Sequence, residues 1–582
     1  MVSFITLLQK PRSLFAGVAL FALVSAAATP AAAQVDAATG IADPGRAGAQ
    51  MLEQRDLPDV MPKMEVESLL RQNIPANAEN IKFVLKSVNI DGVTAFSEQE
   101  LASVYGNRVG SQISLADVYT IAAELTNKFR NSGYILTQVV VPPQTIDGGG
   151  VRLKVVEGYI DQVVVEGQGS EKENGLVREY ANAIHTGGAL NVRELERSLL
   201  LINDLPGVEA RSVLSPSKTK TGAADLRIIV ARDDFDGLLS MDNYGSRFLG
   251  PLQTSAAGSF NSLLGMNEKI TTQVVLAPQL GESFELAYLM ASYQEPIFDQ
   301  GTTVEVLGSF TDTDPGWTLD DFHVSGQSNY LRVKVDHPFI RGRSQNLHGH
   351  VSLDMRNLQS RNDVETPSKT DRIRALRVGG RYEILDTLLG VGVNSVDLEV
   401  SQGLDILGAS NDRDPRLTRL AGDPTFTKLT ADLQRLQRVT SNVNVLLNVS
   451  GQWAGQALLS SEEFGIGGMH IGRGYDPSEI VGDDGLAGKA EIQWNEPYKI
   501  QSPYVNDYQL YSFYDAGVVW NKDATTSAGK RDSITSVGLG LRAQLFDKTT
   551  DAGLAVAFPL TREVATEEST HPEYFFNVSR KF

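Results

Sequence analysis

Leu331-Arg332-Val333-Lys334-Val335-Asp336 alternates apolar with charged side chains, and this pattern decides the fold class. Successive side chains of a β-strand point to opposite faces of the sheet, so one face is apolar and the other charged. The same period of two recurs around residues 351–356, 396–401, 490–495 and 539–544. Helical periodicity is missing from the whole region 235–582, which comprises 348 residues.

A sheet of this kind has no helices to cover its second face. Half-buried strands of a soluble sandwich could show the same alternation, but charges that recur on one face throughout the region favour lipid outside and water inside. At roughly 20–24 residues for each strand and its connection, the region holds about 16 strands. The sequence therefore predicts a mainly β protein whose C-terminal part, residues 235–582, is a transmembrane antiparallel β-barrel.

The composition limits the classes of function. The net charge of −19 disfavours sequence-independent binding of nucleic-acid phosphates, so we predict no nucleic-acid partner. The chain contains no cysteine, which excludes disulfides, thiolate metal sites and cysteine nucleophiles. Neither a phosphate-binding loop nor a Gly-x-Ser-x-Gly elbow is present. We predict that the protein is not an enzyme and needs no cofactor.

The first 33 residues have the pattern of a secretory signal peptide. Lys10 and Arg12 provide the positive flank, and residues 14–24 form an apolar run of eleven residues, too short to span a bilayer. Ala31-Ala32-Ala33 then offers a cleavage site before Gln34. A membrane anchor is the less favoured alternative, and we predict that the mature protein leaves the cytoplasm.

Between this peptide and the barrel, the sequence predicts a helix-and-linker segment and two small modules. Residues 34–80 contain one short helix, over 43–54, followed by prolines that break it. Residues 81–158 read as strand, two helices and two strands, with the first strand over 83–90. Residues 159–234 repeat that β-α-α-β-β order, with Gly92 and Gly167 at equivalent positions 75 residues apart.

Two tracts in the barrel region combine glycine with a single charge. The loop Gly467-Gly468-Met469-His470-Ile471-Gly472-Arg473-Gly474-Tyr475 carries one strong cation on a flexible backbone. The strand Phe513-Tyr514-Asp515-Ala516-Gly517 places Phe513, Asp515 and Gly517 on one face. An arginine and a carboxylate form a bidentate pair, so Arg473 and Asp515 are predicted partners.

The last strand of the chain ends on aromatic residues. Tyr574, Phe576, Val578 and Phe582 share one parity, which is the pattern of the closing strand of an outer-membrane barrel. Arg580 interrupts the apolar face, but its long side chain can reach the interface. We predict that Phe576, Val578 and Phe582 form the signal read by the barrel assembly machinery, after delivery by periplasmic chaperones.

Taken together, these pieces resemble a known family. Two β-α-α-β-β modules ahead of a large barrel resemble the POTRA domains and pore of two-partner secretion transporters, the haemolysin secretion/activation type. Asp242-Asn243-Tyr244-Gly245-Ser246 looks like the family's opening-strand signature, of which Asp242, Asn243 and Gly245 are the motif positions. Ile471-Gly472-Arg473-Gly474-Tyr475 resembles the Val-Arg-Gly-Tyr motif of the sixth outer loop, and the tract 513–517 matches the Phe-x-Asp-x-Gly strand motif.

This resemblance implies a function and a location. A protein of this family sits in the outer membrane of a Gram-negative bacterium, in contact with its lipid, and exports a large unfolded exoprotein such as an adhesin or haemolysin. The loop 465–485 would fold into the lumen, so that Arg473, Gly474, Tyr475 and Asp515 form a latch between loop and wall. The latch could instead be a static brace. Residues 43–54 would plug the resting pore.

Two other functions stay open at this point. An assembly factor that inserts other barrels belongs to the same superfamily, but such proteins usually carry more than two POTRA modules. A passive porin or barrel enzyme would not explain the two modules or the paired motifs. For the transporter, the resemblance implies that the modules capture the exoprotein by adding a strand to a sheet edge. The predicted edge is the strand 135–141, with Ile135, Leu136, Val139 and Val141 as contact residues.

The remaining polar groups have simpler interpretations. His348 and His350 share a strand face, but without a third ligand nearby we predict solvated lumen residues and no metal site. His470 is predicted to be loop scaffolding. Asp483-Asp484 and Glu567-Glu568 are predicted to be solvated turn charges.

Overall fold

In a computed structural model of the chain, sixteen antiparallel strands close into a barrel behind two α+β modules. The structure describes residues 42–52, 64–66, 74–146, 148–169, 171–184, 188–220, 222–278, 284–363, 368–496, 498, 500, 502–523, 529–561 and 570–582. The predicted signal peptide and Glu567-Glu568 lie outside these residues. The fold class predicted from the alternation is confirmed, including the number of strands.

The elements before the barrel follow the chain in order. The helices are α1 (Pro44–Leu52), α2 (Glu98–Tyr105), α3 (Leu115–Asn131), α4 (Glu173–Asn182) and α5 (Val192–Asn203). Single 3-10 turns lie at Ala78–Asn80 and Gly106–Arg108. The strands are β1 (Met64–Val66), β2 (Lys82–Val84), β3 (Ser87–Asp91), β4 (Gln112–Ser114), β5 (Gln138–Val140), β6 (Gly150–Val156), β7 (Tyr159–Gly167), β8 (Val208–Pro216) and β9 (Ala223–Arg232).

The barrel region contains the remaining strands. They are β10 (Phe235–Asp242), β11 (Gln253–Asn261), β12 (Lys269–Pro278), β13 (Phe284–Ile297), β14 (Thr302–Thr313), β15 (Ser325–Arg341), β16 (Gln345–Arg361), β17 (Lys369–Asp386), β18 (Gly392–Gly403), β19 (Thr427–Arg438), β20 (Val443–Ala454), β21 (Phe464–Ile466), β22 (Ile480–Gly482), β23 (Asp484–Asn495), β24 (Val505–Trp520), β25 (Arg531–Leu545), β26 (Thr550–Pro559) and β27 (Glu573–Lys581). Of the strands just named, only β21 and β22 lie outside the barrel wall, where they form a two-stranded sheet. Two 3-10 turns, Trp317–Phe322 and Ser460–Glu462, lie in its connections.

Each module packs its helices against a small sheet. The first module has the sheet order β3-β6-β5 and a core that includes Leu125, Phe129 and Leu153. Helix α3 begins at a capping box, because Ser114 and Asp117 exchange hydrogen bonds between side chain and backbone. The second module has the order β1-β8-β9-β7, so the linker strand β1 adds in parallel to the edge of β8.

Two predicted strands of the first module differ from the structure. The strand predicted over 83–90 is two short strands, β2 and β3, because β2 pairs with β4 and β3 pairs with β6. The strand predicted over 135–141 is only β5, three residues long. Ile135 and Leu136 lie in the turn before it, and Leu136 is buried in the core of the second module.

The barrel wall has an apolar outer face and a polar lumen. On β15 the outward residues Leu331, Val333 and Val335 are exposed, as the alternation predicts. Trp453, Ile492 and Leu539 lie on the same outer surface. Among the helices within the described residues, none is long and apolar enough to cross a bilayer.

The second module lies against the short turns at one end of the barrel, here called the near end. Arg341, beside the β15–β16 turn, makes a bidentate ion pair with Asp204 at 2.8 and 2.6 Å. Arg343 pairs with Glu196 at 3.0 Å. Tyr180 of α4 is buried beside these turns, and burial raises the pKa of its hydroxyl to about 12. The near end therefore carries the modules, and the opposite, far end carries the longer loops.

The barrel closes between its first and last strands. Strands β10 and β27 share five residue pairs, whereas β10 and β11 share eight. Asn243 extends this seam, because its side chain donates to the Tyr574 carbonyl at 2.8 Å and accepts from the Phe576 N–H at 2.7 Å. The opening-strand tract thus holds the C-terminal strand in place.

Candidate functional site in the barrel lumen

The connection between β20 and β23, residues 455–483, is the sixth far-end loop and folds back into the lumen. Its hairpin, β21 with β22, packs Ile466 and Ile480 against Val519 and Ile534 of the wall. Gly517 makes this approach possible, because a Cβ there would lie 2.6 Å from the Ile466 Cδ1 atom. The small residue of the strand motif therefore gives the loop space to pack.

Arg473 and Asp515 meet at the tip of the loop. The Arg473 guanidinium donates from Nε and Nη2 to the two Asp515 carboxylate oxygens, at 2.9 and 2.8 Å. The backbone N–H groups of Gly472 and Arg473 donate to the same carboxylate, at 3.0 and 3.1 Å. The guanidinium lies 3.6 Å from the centre of the Phe513 ring. Because Arg473 is 4 % exposed and Asp515 is 0 % exposed, this pair is largely shielded from water.

The other residues of the predicted latch fix the loop backbone. Gly472 and Gly474 have φ values of +94° and +97°, which glycine adopts without strain. A Cβ on Gly474 would also lie 3.2 Å from that of Ala557 on the wall. The Tyr475 hydroxyl donates to the Thr535 carbonyl at 3.1 Å. All four predicted latch residues are thus in one place.

The cluster contains two residues that were not predicted as site residues. Glu491 on β23 accepts from Arg473 Nη1 at 2.8 Å, and it also accepts from Arg542 on β25 at 2.6 Å. The Arg542 guanidinium lies 3.8 Å from the centre of the Tyr511 ring. The alternation of β23 and β25 already placed Glu491 and Arg542 on the lumen face. The alternation could therefore have added both residues to the list of lumen residues. It could not have shown that they contact each other, because it carries no information about pairs from different strands.

The base of the loop forms a second ionic cluster with another part of the wall. Glu462, 3 % exposed, pairs with Arg377 of β17 at 2.8 Å and with Lys428 of β19 at 2.7 Å. Arg377 also pairs with Asp354 of β16 at 2.8 Å. The loop is therefore bound to the wall by charges at both its tip and its base.

Helix α1 lies inside the lumen, against β14, β15 and β16, and its role as a plug stays a prediction. Asp43 caps the helix by accepting from the Gly45 N–H at 2.7 Å, and it also accepts from the Ser460 hydroxyl of the loop. Arg46 pairs with Glu463 of the loop. Small residues let the helix lie close to the wall, since a Cβ on Gly48 would be 2.7 Å from the Thr311 Oγ1 atom.

Glu463 has a second cationic partner, Arg419 from the fifth far-end loop, at 2.9 Å. Arg419 also pairs with Asp483 at 2.6 Å. The prediction that Asp483 is a solvated turn charge is wrong, because this side chain is 0 % exposed. It accepts hydrogen bonds from the backbone N–H groups of Leu458 and Lys522 as well.

The remaining predicted residues lie at the seam or on its outer face. Asp242 accepts from the Tyr244 N–H at 3.1 Å, and Gly245 has no room for a side chain, because a Cβ would lie 2.1 Å from the Gly250 carbonyl. Phe576 and the exposed Val578 and Phe582 share the outward parity of β27. Their role in assembly stays a prediction.

The lumen histidines are held by acidic neighbours. His348 contacts Asp336 at 2.9 Å, and His350 contacts Glu399 at 3.0 Å. Neither side chain is fully solvated: His350 is 14 % exposed and His348 is 34 % exposed. Within the described part of the chain, no group of three or more histidine and acidic residues could hold a metal ion.

The family model described as haemolysin secretion/activation protein ShlB/FhaC/HecB matches residues 222–543, which is more than half of the chain. The chain belongs to this family. A model for the ShlB-type POTRA domain matches residues 83–158, so the first module is a POTRA domain. The family is one of outer-membrane β-barrel transporters of Gram-negative bacteria.

Relatives of this family member align over most of their length. It is 25 % identical to the heme/hemopexin transporter protein HuxB of Haemophilus influenzae (strain 86-028NP), over 90 % of this chain and 93 % of that protein. It is 20 % identical to the outer membrane transporter CdiB of Dickeya dadantii (strain 3937), over 82 % and 83 %. The solved structure of CdiB from Escherichia coli has the same fold, with a TM-score of 0.70 at 19 % identity, over 88 % of this chain and 93 % of that one.

Proposed function

We propose that the protein exports a large unfolded exoprotein through its barrel, by two-partner secretion. The observation that carries this proposal is a lumen that contains two segments, helix α1 and the loop 455–483, whose contacts with the wall and with each other include many ion pairs and hydrogen bonds beside the apolar packing of the β21–β22 hairpin. Polar contacts of this kind can exchange with water, whereas a packed apolar core cannot do so at low cost. Displacement of both segments would leave a hydrated path through a wide barrel.

The direction of export in the proposed pathway follows from the end of the barrel at which the modules lie. The near end, with both POTRA modules, faces the periplasm, and the far end faces the outside. The exoprotein enters unfolded from the near end and folds outside, so the membrane step needs no nucleotide. The latch of Arg473 with Asp515 holds the loop in the position from which export starts, so export needs the latch to form as well as to release.

Capture of the exoprotein by strand addition requires an open sheet edge. The predicted edge β5 is short, and the N–H of its Val139 donates to the Thr126 hydroxyl at 3.0 Å. Strand β7 of the second module is nine residues long and, among the described strands, pairs only with β9. We propose that β7 contributes to capture together with the residues predicted around β5.

Proline substitutions in β7 test this role. Successive N–H groups of a strand alternate sides, so one of Val163→Pro and Val164→Pro removes an outward N–H and the other breaks the ladder with β9. We expect the outward substitution to lower export about tenfold without unfolding the module, because one backbone hydrogen bond to the exoprotein is lost and the ring blocks its approach. Export would be measured beside protease resistance of the full chain. Normal export by the folded variant would exclude β7 as the edge.

The proposed function itself is tested by co-expression. A Gram-negative host producing this chain and a candidate exoprotein from a neighbouring gene should release that exoprotein into the medium, and a host without the chain should not. An assembly factor would instead change the amounts of other outer-membrane barrels when the chain is removed. A passive porin would alter small-solute uptake and leave both protein readouts unchanged.

A further inference from the structure

The outer face of the barrel has a groove across β13 to β17, near the far end. Its floor combines small and apolar outward residues, since Ala291 and Gly308 lie opposite each other and Leu331 and Met355 continue the same row. The volume of the groove is about 420 Å³, and Leu289 and Phe310 are among its walls. Narrow apolar grooves of this kind accept hydrocarbon chains.

Towards the far end, the same surface becomes polar. A second groove of about 360 Å³ shares Asn329, Asn357 and Arg374 with the first, so the two are continuous. Arg372 lies in the polar part, paired in register with Asn357. The change from apolar to polar outward residues therefore occurs within one step along β17, between Arg374 and Leu376.

Arg374 is a cation without an acidic partner among the described residues. It is 7 % exposed, and its guanidinium donates to the carbonyl oxygens of Arg356, Ile373 and Leu407 and to the side-chain oxygen of Asn357. These acceptors orient the guanidinium but leave its charge uncompensated, a situation that favours a bound anion. Arg372, exposed on the same face, adds a second positive charge.

Two nearby acidic residues, Asp312 and Asp371, have hydrogen-bond partners other than Arg372 and Arg374. Asp312 accepts from the Gln327 side chain at 2.9 Å at the opposite side of the polar groove. Asp371, the neighbour of Arg372 in sequence, faces the lumen side, where it accepts from Thr418 at 3.0 Å. Arg372 and Arg374 thus lie on the outer face of the barrel and not in the lumen network, with Arg372 exposed and Arg374 largely covered.

We propose that this double groove binds a phosphorylated lipid of the outer leaflet, of the lipid A type. A phosphate would lie at Arg372 and Arg374, and an acyl chain would lie along Ala291, Gly308 and Leu331. The choice of leaflet depends on the proposed orientation of the barrel, in which the far end faces outside. The site itself requires neither export nor the latch.

Binding of purified lipid A to the full-length protein, measured by native mass spectrometry, tests the site. Lipid A without phosphates, phosphatidylethanolamine and inorganic phosphate serve as the comparison probes. We expect lipid A to bind at least tenfold more tightly than either comparison lipid. Phosphate-free lipid A offers the two arginines no charged acceptor, and the single phosphodiester of phosphatidylethanolamine is balanced by its own ammonium group. Equal affinity for all lipids would contradict the proposal.

Two variants and one control locate the binding. The double variant Arg372→Gln with Arg374→Gln should lower lipid A affinity about tenfold or more. Gly308→Leu should fill the apolar groove and lower lipid A binding, while any binding of inorganic phosphate stays unchanged. Space is available there, because a Cβ would meet only the Tyr330 carbonyl, at 3.9 Å. Arg413→Gln, at an exposed loop cation, should have no effect.

The outcomes remain decisive if one variant fails to assemble. Arg372 is exposed, so Arg372→Gln alone and Gly308→Leu test the site if loss of Arg374 prevents barrel formation. Unchanged lipid A affinity in these two variants, or an equal loss in Arg413→Gln, would overturn the proposal. Inorganic phosphate that binds as tightly as lipid A would show that the grooves hold a free anion rather than a lipid.

Discussion

Replacement of either Arg473 or Asp515 by alanine is expected to leave the barrel assembled and to stop export. Removal of one partner from a buried ion pair costs about 3–5 kcal/mol, because the other charge stays buried. A loss of this size would change the equilibrium constant between the resting and released positions of the loop roughly a hundredfold or more. Export of the exoprotein into the medium is the measurement, and heat-modifiable migration of the barrel reports its assembly.

The two substitutions should differ in a defined way. Asp515→Ala also deprives the backbone N–H groups of Gly472 and Arg473 of their acceptor, so it should release the loop further than Arg473→Ala. Asp515→Asn keeps an acceptor oxygen without the charge and should be intermediate. Since the chain has no cysteine, a single Ser536→Cys on the wall beside Asp515 reports loop release through thiol labelling.

An exposed pair provides the matched control for the latch. Asp412 and Arg413 contact each other at 3.5 Å in the fifth far-end loop, with side chains 62 % and 88 % exposed. Alanine at either position should leave export unchanged, because exposed pairs contribute at most about 1 kcal/mol. Normal export by both latch variants would remove the latch from the mechanism. Released loops with normal export would assign it the role of a static brace.

Expulsion of helix α1 is expected to open the pore. A nine-residue helix is marginal on its own, so its helicity depends on lumen contacts. Gly48→Leu should push the helix from the wall at Thr311, and Arg46→Ala should remove its ion pair with Glu463. Both should raise the fraction of conducting channels in planar bilayers about tenfold or more. A loss of roughly 1.4 kcal/mol from the free energy that holds the helix in the lumen already gives that factor.

The control for the glycine substitution lies in the second module. Gly175 of α4 has open space around it, so Gly175→Leu should leave conductance unchanged. Deletion of residues 44–52 sets the conductance level expected without the helix. A deletion that conducts no better than the unaltered protein would show that α1 does not plug the pore.

The sequence was most informative where one strand carries the signal. Alternation gave the barrel and its sixteen strands, and the glycines beside Arg473 and Asp515 indicated a close loop-to-wall contact that the structure contains. It was least informative for pairs from distant segments. Asp483 looks like a turn residue beside Asp484 and Gly485, and its partner Arg419 lies 64 residues away in another loop. The length of β5 also depends on a distant segment, because Leu136 is buried in the core of the second module instead of extending the strand.

The carboxylate of Glu463 is a contact common to two segments that are far apart in the sequence. Arg46 belongs to the helix connected to the modules, and Arg419 belongs to a loop at the far end. Thermodynamic linkage makes such an arrangement reciprocal. Whatever displaces Arg419 changes the affinity of the helix for the lumen, and departure of the helix changes the affinity of the Arg419 loop for Glu463 by the same factor. A ligand that binds the far-end loop from outside would thus alter the resting occupancy of the pore without entering it. Conductance recorded with an antibody fragment against residues 404–426 measures that coupling.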